Sequence, residues 1–260
     1  MNQLLFYQKP EPLNAARHRD LRLTAENPNF SFAASTNSIP LMAVEFPRAA
    51  LDFPIVFAGA PESIQSPAVI VGLKNTENIF VDADGRWLAS YIPAFVRRYP
   101  FVLAEQPNSK ELAVMIDVAY SGFSTEHGQR IFTEKDEPSD FLRTAINFLR
   151  DFHDQSQRTR EFVQELKNLD LLVPRQFQIA QQGKTVFTLR DFYVVDESLL
   201  GKLSDMQLIS LGRRGYLMLI YAHLFSLANM QKNFAKWAES LKTPAPQSPA
   251  DGGNGAAKST

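Results

Sequence analysis

The chain has 260 residues, 45% of them hydrophobic, and a formal net charge of −1 at pH 7. This composition allows a sizeable core, in one large domain or in two intimate lobes. The balanced charge argues against a general nucleic-acid binder, which needs a basic surface to displace phosphate counterions, and against electrostatic adhesion to anionic membranes. Because the chain has no cysteine, disulfides and thiolate metal sites are excluded.

The N-terminal residues do not resemble a secretion signal. Residues 1–10 have no basic region ahead of their short apolar run. No stretch approaches the roughly 18 to 20 apolar residues of a membrane-spanning helix, so no integral membrane segment is expected. The sequence therefore predicts a cytoplasmic protein without a signal peptide, although a leaderless export route to the cell surface would leave no mark in it.

The first part of the chain is predicted to form loops and short strands. Residues 1–35 are polar and turn-rich, and we expect them to form an arm packed across the body, with a short helix within 13–22 capped by Asn14. Asp84 and Gly85 predict a tight turn. Strands are expected at residues 41–46, 53–58, 68–73 and 79–82, and the last two of these are expected to pair as a hairpin.

Residues 85–101 combine aromatic residues, two prolines and an arginine pair more densely than any other stretch. The bulky residues of this stretch recur every three or four positions, which is the spacing along one face of a helix; they are Trp87, Leu88, Tyr91, Ile92, Phe95 and Tyr99. Pro93 is expected either to kink this helix or to be the first residue of a second helical turn. Arg97 and Arg98 would then lie in the last turn, where cations favour the negative end of the helix dipole, and Pro100 would end the helix.

The rest of the chain is predicted to be mainly helical, with a strand at 112–118 and a hairpin that pairs 176–180 with 185–193. The expected helices are 140–166 with a break near 154–157, 197–203, 205–211 with Ser204 as cap, and 216 to about 241. From Thr243 the composition predicts a disordered tail, leaving residues 1–242 as a single domain. The expected fold class is α+β, a mainly antiparallel sheet covered by helices, with a long C-terminal helix.

The arginine pair and its aromatic neighbours are the first candidate site. In a recognition pocket, Trp87 and Tyr91, with Tyr99 nearby, would supply flat aromatic walls, while Arg97 or Arg98 would bind a carboxylate or phosphate through its planar guanidinium. The alternative is a core helix whose arginines pair with structural acids, because aromatic stripes at helical spacing usually face a core.

The second candidate site is on the closing helix, where His223 and Ser226 are three residues apart and share one face. A contact between them could activate the serine as a nucleophile, yet no acid on the same helix is placed to orient the histidine. The alternative is a buried His and Ser that hydrogen bond between packed elements. Asp117, at a strand end, is a further candidate acid. No metal site and no cofactor are expected, since the four histidines lie far apart in sequence.

Several segments together resemble the SapC family of bacterial proteins. They are Trp87 with Tyr91-Ile92-Pro93-Ala94, then Arg97-Arg98-Tyr99-Pro100-Phe101, residues 112–117, residues 199–211 and residues 219–229. The resemblance covers about residues 1–240. The family is named after a protein associated with a bacterial surface layer. Its relatives also look like neighbours of cupin-type oxygenases and flavin-dependent halogenases in genomes, which implies an accessory role. The similarly named transporter permease is a different protein.

Three functions are compatible with the sequence. The first is an accessory or binding protein that recognises a peptide or protein client through the aromatic and arginine pocket, the client being, for example, an oxygenase or halogenase encoded nearby. The second is a surface-layer or cell-envelope component, as the family name implies. The third is an enzyme of unrecognised type that uses Asp117, His223 or an arginine, although no strong catalytic motif is present.

Overall fold

The computed structural model describes residues 5–24, 28–59, 66–105, 112–181, 184–233 and 237–238. Its strands are β1 Pro10–Pro12, β2 Arg22–Leu23, β3 Ser38–Pro40, β4 Ile55–Ala58, β5 Ser66–Ile70, β6 Phe101–Glu105, β7 Leu112–Asp117, β8 Phe123–Ser124, β9 Gln129–Arg130, β10 Leu172–Gln181 and β11 Lys184–Val195. Its α-helices are α1 Ala15–His18, α2 Phe46–Ala49, α3 Ala94–Arg97, α4 Asp140–Asn168, α5 Glu197–Leu200, α6 Asp205–Arg213, α7 Tyr216–Ser226 and α8 Asn229–Lys232.

The strands form three antiparallel sheets. The largest has the order β10-β11-β4-β5-β3, the second has the order β1-β7-β6, and the third is a small ribbon of β8, β2 and β9. Helices pack against these sheets, and the predicted α+β class with a mainly antiparallel sheet is confirmed. The predicted tail at 243–260 lies outside the described residues.

Helix α4 contributes to two separate hydrophobic cores. Its N-terminal half contributes Leu142 and Leu149 to the core of the β1-β7-β6 sheet. Its C-terminal half contributes Phe162 and Leu166 to the core of the large sheet. The middle of α4 therefore lies between the two cores, and the segment that carries α3 packs there.

The helix and hairpin predictions for the second half are mostly confirmed. Ser139 caps α4 by accepting the N–H of Leu142 at 3.2 Å, and the Ser204 side chain caps α6. The predicted break at 154–157 is wrong, because nothing in this polar stretch interrupts the backbone hydrogen bonds and α4 is continuous. The closing helical segment begins at Tyr216 as predicted. Helix α7 ends at Ser226 and α8 begins at Asn229, while residues 234–236 and 239–241 lie outside the described part.

Two strand predictions in the first half are wrong. Residues 43–45 form a 3-10 turn that leads into α2, with Pro47 in its first turn, where a missing N–H costs nothing. Residues 79–82 form no strand, and one backbone hydrogen bond of the predicted hairpin is present, from the N–H of Ile79 to the carbonyl oxygen of Val71 at 2.9 Å. Just before it, the buried Asn78 donates to the carbonyl oxygen of Ala33 at 2.9 Å and accepts the N–H of Phe80 at 3.0 Å, which bends the chain out of a strand.

The predicted helix through residues 87–99 is also largely wrong. Residues 87–93 are irregular, and only Ala94–Arg97 are helical, with Pro93 immediately before them as the N-cap. The tight turn is confirmed: the N–H of Gly85 donates to the carbonyl oxygen of Asp82, and Gly85 has a φ of 78°, which is a conformation that glycine adopts without strain. The aromatic residues at helical spacing therefore lie on an irregular segment that ends in one helical turn.

Candidate functional site

Arg97, in the single turn of α3, is the exposed cation of the arginine pair. Its Nε donates to the carbonyl oxygen of Ile92 at 3.0 Å, which fixes the end of the guanidinium that joins the aliphatic part of the side chain. The guanidinium carbon lies 5.1 Å from the ring centre of Phe148 on α4 and 6.0 Å from that of Tyr91. No acidic side chain in the described residues lies within 4.0 Å of its nitrogens. Arg97 therefore presents a positive charge that the fold does not neutralise with an ion pair.

Arg98 has a different environment although it is the next residue. Its guanidinium carbon lies 3.9 Å from the ring centre of Phe95 and 4.7 Å from that of Phe152, between two aromatic rings. Burial lowers the pKa of Arg98, while the neighbouring hydroxyl of Tyr7 acts in the opposite direction. Its Nε is buried and has no hydrogen-bond partner among the described atoms. This arginine is part of the packing between α3 and α4.

Two cavities flank Arg97 along the surface of α4. The Phe141 cavity has a volume of about 330 Å³ and is lined by Leu23, Arg97, Arg98, Tyr99, Pro100, Phe101, Phe141, Thr144, Ala145, Phe148 and Leu149. The Tyr91 cavity has a volume of about 260 Å³ and is lined by Met42, Val44, Glu45, Arg48, Tyr91, Ala94, Arg97, Phe148, Asp151, Phe152 and Gln155. Both are lined by Arg97 and Phe148, and we call the two together the Arg97 groove.

Glu45 fixes the wall of the Tyr91 cavity. This buried carboxylate accepts the hydroxyl of Tyr91 at 2.7 Å, the N–H of Ala94 at 2.6 Å and the N–H of Met42 at 2.9 Å. Burial, followed by the charge of Glu45, raises the pKa of Tyr91 above its ordinary value. Tyr91 is therefore a neutral, oriented aromatic wall rather than an acid or a base at neutral pH.

Trp87 lies outside the groove. Its indole N–H donates to the carbonyl oxygen of Tyr91 at 2.8 Å, and its ring packs at edge-to-face angles against Phe30 and Phe53. It lines neither of the two cavities. Trp87 thus helps to position Tyr91, and the expected pair of aromatic walls is supplied instead by Tyr91 and Phe148.

The half-buried Tyr99 and the buried Asp117 form a hydrogen-bonded pair at the back of the groove. Asp117 is completely buried and accepts the hydroxyl of Tyr99 at 3.0 Å together with the backbone N–H groups of Gln8, Lys9 and Ala119 at 2.8 to 3.1 Å. Burial, followed by the charge of Asp117, raises the pKa of Tyr99. With four donors around it, Asp117 anchors the N-terminal arm against β7, and of these two residues only Tyr99 lines the groove.

His223 and Ser226 lie together on α7, but their side chains do not bond to each other. The imidazole Nδ1 donates to the carbonyl oxygen of Ile55 at 3.0 Å, and Nε2 accepts the N–H of Val195 at 3.0 Å. The hydroxyl of Ser226 donates to the backbone carbonyl of His223 at 2.6 Å and accepts the N–H of Ile55 at 2.9 Å. Both residues are completely buried, and burial lowers the pKa of His223 to about 4. Their geometry joins α7 to β4 and β11.

The sequence reasoning missed the side of the groove that α4 contributes. Phe148 and Phe152 lie on the apolar stripe of α4, a pattern that usually predicts a core contact, and no sequence pattern distinguishes Arg48 or Glu45 from other charged residues. One signal was available: α4 carries two parallel apolar rows, one containing Phe141, Phe148 and Phe152 and the other Leu142 and Leu149, which is a wider stripe than one core contact requires. The described residues contain no cluster of three acids or histidines that could hold a metal ion.

Comparisons with known proteins place the chain in a family. Among its described residues, no helix has both the length and the apolar character needed to cross a membrane. No curated protein and no solved structure matches the chain. A family model described as SapC matches residues 13–232, which is most of the chain, and the chain therefore belongs to the SapC family.

Proposed function

We propose that this SapC-family chain is an accessory protein that binds a peptide segment of a protein client in the Arg97 groove. The observation that carries the proposal is Arg97 itself, an exposed cation without an ion-pair partner in the described residues, situated between two mostly apolar cavities. A site that combines apolar walls with one charged group suits recognition of a ligand that is partly apolar and partly anionic. The cytoplasmic location expected from the sequence belongs to the same proposal.

The surroundings of Arg97 favour binding by a preformed site. Glu45 and Asp52 hold residues 90–94 in place, since Asp52 accepts the hydroxyl of Ser90 at 2.6 Å and the N–H of Tyr91 at 3.0 Å. Because these hydrogen bonds are present without a ligand, little conformational entropy is lost when a ligand enters. The buried His223 and Ser226, by contrast, already have hydrogen-bond partners and line neither cavity.

The proposal is tested by selecting peptides from a random phage-displayed library against the full chain. We expect enriched peptides that lose at least about tenfold in affinity for Arg97→Ala, the loss of a hydrogen bond to a charged group. Arg150→Ala is the matched control, because Arg150 is an exposed arginine on α4 that lines neither cavity. Failure to enrich any peptide, or equal binding to wild type and Arg97→Ala when both melt alike by circular dichroism, would refute the proposal.

A further inference from the structure

The charge of Arg97, which no acid in the described residues neutralises, defines the charge of the ligand. Its Nε donates to the carbonyl oxygen of Ile92, and the guanidinium also interacts with the neutral hydroxyl of Tyr91, so its positive charge remains available to an acidic acceptor. Planar guanidinium groups bind carboxylates through paired hydrogen bonds. Across the two cavities three arginines (48, 97 and 98) outnumber two acids (45 and 151), and the carboxylate of Glu45 already accepts three hydrogen bonds. The groove therefore favours a carboxylate at Arg97.

The sizes and linings of the two cavities indicate which side chains of the ligand lie on either side of this carboxylate. Volumes of about 330 and 260 Å³ lie near the lower end of the range for ligand sites, which suits one bulky side chain in each. The Phe141 cavity is lined mainly by apolar groups, including Phe101, Ala145 and Leu149. The Tyr91 cavity adds aromatic walls from Tyr91 and Phe152. Each cavity would bury an apolar side chain, with the carboxylate held between them.

The spacing of the cavities along α4 defines the conformation of the ligand. Ala145 lines one cavity and Phe152 lines the other, and these residues are seven positions apart, which is about 10 Å along a helix axis. A helix laid along α4 bridges the same distance with its residues i and i+7, and places residue i+3 or i+4 between them on the same face. An amphipathic helix in an apolar groove is a common mode of peptide recognition.

We infer that the client segment is an amphipathic helix with a bulky apolar residue at i, an acidic residue at i+3 or i+4 and a second bulky apolar residue at i+7, with the acid bound by Arg97. This inference rests on the proposed function and adds the class of partner to it. The carboxylate supplies orientation and specificity, while the two apolar side chains supply buried area.

The test uses a fluorescein-labelled helical peptide of about four turns with Leu, Glu and Leu on one face at i, i+3 and i+7. Its binding to the full chain is measured by fluorescence anisotropy. Three altered peptides isolate the elements of the pattern: one replaces Glu by Lys, one replaces both Leu residues by Ala, and one moves the second Leu to i+5, on another face. We expect each to bind at least about tenfold more weakly than the parent peptide.

Reversing the charge of Arg97 is the most decisive test, because it should reverse the preference between the Glu and Lys peptides. Arg97→Glu should lose the Glu peptide and gain the Lys peptide, so that the preference inverts, whereas Arg150→Ala should keep the wild-type preference. Arg97→Gln serves if Arg97→Glu has an altered thermal melt, and it should bind the Glu and Lys peptides within about threefold of each other, because the charge that distinguishes them is gone.

Several results would overturn the inference. They are equal binding of the Glu and Lys peptides to wild type, an unchanged preference in Arg97→Glu, full affinity of the peptide with the displaced Leu, and no binding of any designed peptide. The library selection separates this inference from the proposed function. If selected peptides depend on Arg97 but lack the apolar–acidic–apolar pattern, the groove remains a peptide site and the helical pattern is wrong; if no peptide is selected, both fail.

Discussion

The stability of the fold should depend on pH through His223, which lies between two strands of the large sheet. β11 and β4 pair at Tyr193 with Phe57, and the same register would place Val195 opposite Ile55. His223 occupies that position, accepting from the N–H of Val195 and donating to the carbonyl oxygen of Ile55, each at 3.0 Å. Only the neutral imidazole with the proton on Nδ1 can do both, so protonation removes the bond to β11.

The magnitude follows from the pKa of the histidine in the two states. Burial lowers the pKa of His223 from 6.5 to about 4, so between these pH values the unfolded chain binds a proton that the folded chain does not. Its contribution is therefore fully present above pH 6.5 and is lost as the pH falls towards 4. At about 1.4 kcal/mol for each pH unit, the free energy of unfolding should fall by about 3 kcal/mol over this interval.

Urea unfolding at pH 7, 6, 5 and 4 measures this effect on wild type and on His223→Gln, whose amide does not titrate and can donate and accept. Other titrating groups are common to both proteins and cancel in their difference. We expect the stability advantage of wild type over the variant to shrink by about 3 kcal/mol between pH 7 and pH 4. His127→Gln, at an exposed histidine, should leave the pH dependence of wild type unchanged. A difference between wild type and His223→Gln that stays constant with pH would refute the reasoning.

Four further substitutions test the structural roles assigned above, by urea unfolding at pH 7. Arg98→Ala should lower the free energy of unfolding by roughly 1–3 kcal/mol, because it empties the space between two aromatic rings. Arg97→Ala should change the free energy of unfolding by less than about 0.5 kcal/mol. Equal effects of the two substitutions would contradict the distinction between a packed Arg98 and an exposed Arg97. Asp117→Asn should cost about 3 kcal/mol and speed hydrogen exchange at the N-terminal amides that it binds, and unchanged exchange would contradict the anchor. Ser226→Ala should cost roughly 1–3 kcal/mol, because it leaves the N–H of Ile55 unpaired; no loss would contradict that role.

Local signals were sufficient where secondary structure is determined by neighbouring residues. The apolar rows and the Ser139 cap predict the long helix α4, and the Ser204 cap predicts the start of α6. The β10–β11 hairpin has two matched runs of strand-forming residues on either side of a short polar segment. In each case the residues that decide the structure are within a few positions of one another.

Local signals failed where distant side chains hold an irregular backbone. Residues 87–93 have aromatic residues at helical spacing, but Asp52 binds the N–H of Tyr91 and Glu45 binds its hydroxyl, from 39 and 46 positions away. Residues 79–82 look like a strand, yet the bonds of Asn78 to Ala33 and Phe80 bend the chain out of a strand. Such contacts cannot be predicted from periodicity, because periodicity depends only on the spacing of residues within one segment.

The same limit applies to the candidate site. The sequence places Tyr91, Arg97 and Arg98 in one segment, but it cannot distinguish the environments of the two arginines, because contacts with α4 make them different. Phe152 closes over Arg98, while Phe148 contacts Arg97 from one side and leaves its amino groups accessible. The neighbours of an arginine, rather than its position in a motif, decide whether it binds a ligand or packs a core.

The hydrogen bonds of three acids in or near the groove, Glu45, Asp52 and Asp117, indicate why recognition is better supported by these residues than catalysis. Glu45, Asp52 and Asp117 each accept at least one backbone N–H and one side-chain hydroxyl, so their oxygens hold the chain in place. A general acid or base needs access to a substrate proton, and these groups are already committed to fixed donors. Arg97 differs because no acid in the described residues pairs with its guanidinium, which is exposed. A permanently charged guanidinium can orient and bind an anion without exchanging a proton, so under the proposed function Arg97 would act through affinity and selectivity.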